Sequence, residues 1–187
     1  MVSITALWLP VLVSALFVFV ASSIIHMVLA LHRNDFRKVP DEDRLLDAFR
    51  TVHLRTGDYC MPFAESPKAL KDPAFLDKLR RGPTVFMTVL PGRELAMGGQ
   101  LAHWFVFSVV VSVFAGYIAG AALPAGAEYL QVFRFVGTTA FVGYTMGFYP
   151  QSIWYKRPWV LQLKNTFDGL VYGLLTAGVF GWLWPSP

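Results

Sequence analysis

Residues 4–31 form a run of 28 positions without a single Asp, Glu, Lys or Arg, and about 20 apolar residues suffice to carry a helix across the ~30 Å hydrocarbon layer of a bilayer. Such a run predicts a membrane helix and excludes most water-soluble folds. A cleaved leader is the competing reading. It is disfavoured because no basic residue precedes the run, the run exceeds a leader's apolar core, and no A-x-A-like site follows.

Three further stretches behave alike. Residues 95–127 carry no formal charge, and 98–123 read as a second span closed by Pro124 and Gly126. A third is expected at 129–155, where the 21 residues from 135 to 155 are uncharged. A fourth is expected at 165–184, stopped by Pro185 and Pro187. The composition agrees: 55 % of the chain is hydrophobic, 15 % is charged and mean hydropathy is +0.49, against roughly 25 % charged in a soluble domain. The expected class is an all-α integral membrane protein with four transmembrane helices, residues 1–31 holding the first and 98–187 the other three.

Between the first two spans lies the hydrophilic segment 32–97, with 12 of the 16 basic and 10 of the 12 acidic residues. It reads as a small α/β module. Asp41 is placed to cap a helix through about Val52, with Leu45, Leu46 and Phe49 on its apolar face. Asp72 at N-cap, Pro73 at the first helical position, Lys78, Arg80 and Arg81 in the last turn and Gly82 after it mark a second helix. Residues 58–63 and 84–90 read as strands. Their order around the helix predicts a parallel pair with a right-handed crossover.

Cytoplasmic loops carry the excess of Lys and Arg. Segment 32–97 with Lys156, Arg157 and Lys164 holds 15 of the 16, the opposite side holds none, and Arg134 lies inside the third span. Both termini are therefore expected outside and the module in the cytoplasm of a bacterial-type inner membrane. The basic face reads as an orientation signal with attraction to anionic membrane lipid, not as a nucleic-acid site. The single cysteine, Cys60, excludes an internal disulfide.

Small residues at four-residue spacing let membrane helices approach closely. Three rows are present: Ser108, Ser112, Gly116 and Gly120; Thr139, Gly143 and Gly147; and Gly169, Gly173, Ala177 and Gly181. They predict packing within the bundle, with a homo-oligomer or larger membrane complex as the other use.

Ionisable groups inside a membrane are costly and mark candidate sites. His26 and His103 are expected at similar depth near the inner surface, with Asp168 and Gln100 as supporting hydrogen-bond partners in the same layer, and Asn165 close by. A ligand pair of this kind would suit haem b or a quinone. However, ~7.5 Å of depth is within reach of head groups, so interfacial hydrogen bonding is the preferred reading, with no metal and no cofactor. Arg134 is expected to snorkel outward toward lipid phosphate or Glu128.

No G-x-S-x-G, Walker, H-E-x-x-H or G-x-G-x-x-G motif occurs, so an enzyme is disfavoured and no catalytic residue is assigned. The expected function is that of a non-catalytic accessory or interaction subunit. A haem or quinone subunit, and a small transporter or channel, are the alternatives.

Overall fold

The computed structural model describes residues 1–92 and 96–187. They are mostly helical, with helices in chain order α1 (Trp8–Ser23), α2 (Glu42–Val52), α3 (Pro73–Arg81), α4 (Gly98–Ala122), α5 (Tyr129–Thr145), α6 (Tyr149–Trp154) and α7 (Trp159–Trp182). A 3-10 turn (Ile4–Leu7) leads into α1 and a π turn (Ile24–Val28) ends it. Two compact units result: Met1–Phe36 with Ala96–Pro187, and a second within Arg37–Leu95. Two helices, Ile4–Val28 and α4, are long and apolar enough to cross a membrane. At 1.5 Å per residue each of these 25-residue helices is about 37 Å long.

The helix ends follow from local chemistry. Pro10 falls in the first turn of α1, where a missing N–H costs little. The π turn is closed by the Leu29 amide donating to the Ile24 carbonyl at 2.9 Å, a five-residue reach that widens the helix where His26 sits. The stretch expected at 129–155 is not one helix. It passes at Met146–Phe148 into a 3-10 turn and resumes as α6. Pro150 explains the break, since it has no N–H for the carbonyl four residues back and its ring crowds that carbonyl.

In the second unit, Asp72 caps α3 by accepting from the Ala74 amide at 2.8 Å, and Gly82 ends it at φ +58°. Two expectations are corrected. Asp41 has left-handed backbone and makes no side-chain cap to α2; its carbonyl instead accepts from the Leu45 amide. The strands β1 (Gly57–Met61) and β2 (Val85–Val89) pair antiparallel, from Gly57 opposite Val89 to Met61 opposite Val85. A parallel pair is slightly weaker per residue and needs both faces covered by helices. The two short helices of this unit, α2 and α3, bury no residue and do not supply that cover.

In the helical unit, α5 and α7 form the most extensive interface, and α1 packs on both α4 and α7. The α4 row is buried throughout, at Ser108, Ser112, Gly116 and Gly120. Ser112 meets Ser14 of α1, hydroxyl to hydroxyl at 3.0 Å. Gly116 lies under the Phe180 ring, and Gly120 accepts from the Val2 amide at 2.8 Å. On α7, Gly173 lies against the backbone of Phe141 and Gly137, Gly169 against Thr145 and Tyr144, and Gly181 against the Tyr129 ring. Ala177 meets Gly137.

The α5 side of this seam differs from the expected row. Gly137, Phe141 and Thr145 face α7, while Gly143 faces Val111 of α4 and Thr139 bonds its own helix at Phe135. Gly147 has nothing within 4 Å of where a side chain would start. It sits in the 3-10 turn, where the row loses its register.

A Cβ at Gly173 would stand 3.2 Å from the Phe141 amide nitrogen and 3.3 Å from the Gly137 carbonyl oxygen, and neither is free to move without parting two helices. Gly173→Leu is expected to lose at least the ~1–3 kcal/mol typical of an overpacked core, read as a lower unfolding midpoint in detergent. Gly147→Ala should leave that midpoint unchanged. A Gly173→Leu protein as stable as the parent would disprove the seam.

Candidate functional site

The groups with chemistry converge where α1 gives way to the following loop. His26 is carried by the π turn, His32 and Asp35 by residues 29–36, and Lys164 and Asp168 by the first half of α7. The Asp168 side chain is 6 % exposed, that of His32 13 % and that of His26 47 %.

His32 is held between two carboxylates, with Nδ1 2.6 Å from Asp35 Oδ2 and Nε2 2.8 Å from Asp168 Oδ2. At the second contact a proton or another cation must lie between the ring nitrogen and the carboxylate, because two lone pairs at that distance repel. His26 stacks on His32 with ring centres 4.4 Å apart and planes 4° from parallel. Its Nδ1 is 3.0 Å from the Ser22 carbonyl, which accepts a proton there. That leaves Nε2, 3.9 Å from Asp168 Oδ2, as the lone-pair side.

Asp35 is fixed from the other direction. Lys164 Nζ donates to Asp35 Oδ1 at 2.5 Å and to the Leu31 carbonyl at 2.8 Å. Burial by itself would raise the Asp35 carboxyl, but the bonds from Lys164 and His32 and their positive charges outweigh it and hold the carboxyl below its ordinary 3.8. Its contribution to stability is therefore complete above that value and lost only as pH falls through the lowered one. A cleft of about 220 Å³ adjoins the network at Asp35, lined also by Ser152, Arg157, Gln162 and Asn165.

Within this cluster one carboxylate oxygen has no partner among the described residues. Asp168 Oδ1 is buried and accepts no hydrogen bond, an arrangement that costs several kcal/mol in a low-dielectric interior unless a cation compensates it.

Of the residues singled out in the sequence, His26 and Asp168 are brought together, and His103 and Gln100 are not part of the cluster. His103 is exposed, with Nδ1 2.7 Å from its own helix's Gly99 carbonyl. Its neighbour Trp104 turns inward instead and donates to Ser22 Oγ at 2.8 Å. A step of 100° per residue puts the two on different faces. Gln100, also exposed, turns its amide nitrogen back to the Ala96 carbonyl at 2.8 Å. His103 is thus not among the groups gathered at His26, a pairing that the haem alternative would need, and the His26–His32 stack leaves no room for a macrocycle between those rings. Arg134 is exposed and, among the described residues, makes no ion pair with Glu128.

His32, Asp35 and the partner role of Lys164 escaped the sequence reading, which assigned residues from 32 onward to the hydrophilic segment. The available signal was the spacing: a histidine six residues after His26 with an aspartate three further on, immediately after the apolar run.

Compared with models of known families, with curated proteins and with solved structures, the chain matches none.

Lys164→Met would leave Asp35 without its cationic donor and Leu31 without a bond. A charged bond at a largely buried carboxylate is worth roughly 1.5–3 kcal/mol; with Lys164 29 % exposed, about half of that is expected, seen as a drop of several degrees in the midpoint. Lys156→Met, at an exposed lysine just after α6 that donates to the Ile153 carbonyl three residues back, should stay within about 0.5 kcal/mol of the parent. Equal effects of the two would show that the Lys164 contact is not a structural tie.

Proposed function

We propose that this is a four-span inner-membrane protein with both termini outside the cytoplasm, serving as a non-catalytic accessory subunit that presents its basic module inside. The supporting observation is the apolar exterior of the helical unit together with the hydroxyls buried inside it. Leu12, Leu16 and Phe17 of α1, Val110 and Phe114 of α4, Phe135 and Val142 of α5 and Leu170 and Leu174 of α7 all lie on the outside. The interior between the same helices holds Ser14, Ser108, Ser112, Thr145 and Thr176, each fully buried. Water would select the opposite arrangement, whereas lipid tails accept an apolar exterior and leave hydroxyls to bond within the bundle.

The same reading accommodates α5 and α7. The helical path 129–154 is long enough to cross with its turn at 146, and the only carboxylate within α7 is the paired and buried Asp168. The charge count supplies the sidedness. Fifteen Lys and Arg at the module, the α6–α7 connection and the start of α7 face none at the opposite ends. The absence of catalytic motifs and the small-residue seams support the accessory role over an enzyme.

Cysteine labelling tests the topology. Ala125 is exposed, and is a better site than Gly126, whose backbone is left-handed and whose Cβ would meet Pro187. In a Cys60→Ser background an impermeant maleimide applied to sealed cells should label Ala125→Cys and spare Lys71→Cys. Labelling of Lys71→Cys would overturn the orientation. For the accessory role, protein released from membranes by mild detergent should migrate with a larger native mass than a single chain in its micelle. A lone chain under those conditions would refute it.

A further inference from the structure

We propose that His26 Nε2, His32 Nε2 and the Asp168 carboxylate form a binding site for one divalent first-row transition ion, with Zn²⁺ as the type, at the end of the helical unit where α1 meets the residue 29–36 loop. The three donor atoms lie within 4.8 Å of one another. Two imidazoles and one carboxylate are a donor set that suits Zn²⁺, Co²⁺, Fe²⁺ or Ni²⁺ and disfavours Mg²⁺ and Ca²⁺, which favour oxygen.

The outer contacts already have the form a metal site requires. A ligating histidine gives its other ring N–H to a carbonyl or a carboxylate, which fixes the lone pair toward the ion. His26 does this with the Ser22 carbonyl at 3.0 Å and His32 with Asp35 at 2.6 Å. Asp35 is in turn held by Lys164. The independent pointer to a ligand is the buried, unpartnered Asp168 Oδ1, in a residue only 4 % exposed. A carboxylate oxygen that no donor reaches keeps the lone pairs a bound cation would take.

Loading requires the three donors, now spread over up to 4.8 Å, to draw in by up to about 1.5 Å. Bonds of about 2.0–2.2 Å in a tetrahedral site set donors about 3.3 Å apart. His32 Nε2 and Asp168 Oδ2, now at 2.8 Å, must open by about half an ångström, and His26 Nε2, now at 3.9 Å from the same oxygen, must close by a similar amount. An ion lies near the plane of each imidazole that binds it, so rings 4° from parallel must tilt. His26 is the ring that moves, because it is half-exposed while His32 is clamped at both nitrogens. The ion takes the position between His32 Nε2 and Asp168 now bridged by a proton, which passes to water. Three protein ligands leave a fourth position open on the exposed His26 side.

The test uses full-length protein purified in detergent without a histidine tag, stripped with chelator, and titrated with Co²⁺ alone. A visible d–d band saturating at about one ion per chain, displaced by Zn²⁺ and not by Mg²⁺, is expected for this donor set. His26→Gln and His32→Gln should abolish the band, His103→Gln should retain it, and Asp35→Asn should weaken binding about 10–100-fold. His26 is half-exposed, so His26→Gln is the deciding variant if His32→Gln fails to fold, with circular dichroism as the check. No band in the parent protein, a band that persists in His26→Gln, or one that depends equally on His103 would overturn the site.

Discussion

The close approach of α5 and α7 through Gly137, Gly173 and Ala177 is the contact on which the rest of the structure depends. Short-range packing between two helices is strongest where small residues let the backbones come near. Gly169 continues the seam by lying against Thr145 and Tyr144. The next residue back is Asp168, so the rotation that turns Gly169 toward α5 also fixes where the carboxylate points. A bulky residue in this seam would turn α7 and separate Asp168 from His32.

Around that seam the interior is built from small hydroxyls and a few large rings. Ser14 meets Ser112 across the α1–α4 contact, and Trp104, Phe107, Tyr144 and Tyr172 pack edge-on or tilted at 5.4–6.3 Å between ring centres. Each serine and threonine there satisfies its hydroxyl on a carbonyl one turn back or on a facing side chain. Among the described residues the Tyr144 and Tyr172 hydroxyls and one oxygen of Asp168 are buried without a partner, and of these only Asp168 can carry a carboxylate charge. Compensation comes from beyond the helix end, where the chain after α1 folds back to bring His32 alongside, and Asp35 and Lys164 hold it there. The loop is therefore ordered by electrostatics, while the helices are ordered by shape.

Several elements were legible in the sequence because the physics that sets them is local. Asp72, Pro73 and Gly82 mark both ends of the nine-residue α3. The charge-free runs mark the Ile4–Val28 helix and α4, since a long apolar helix needs no partner to be recognised. The α4 row of Ser108, Ser112, Gly116 and Gly120 was likewise visible as a periodic pattern, and it is buried as a row. The antiparallel strand pair was not legible, because pairing direction depends on what covers the sheet. The α5 face was not legible either, because the break before Pro150 resets its register.

The candidate site divides along the same line. That His26 and Asp168 fall in or beside long apolar stretches, and so are candidates for specific partners, is determined by the sequence alone. Which partners they take was decided only by the fold. His103 and His32 are both near His26 in depth or in chain position, yet a single helical step turns His103 outward and puts Trp104 in its place, while a loop of a few residues carries His32 onto the His26 ring. Hydropathy and spacing record distance along the chain and the face of a helix; the path of a loop between two helices is set by the contacts it makes, and here those contacts are with α7, more than 130 residues away.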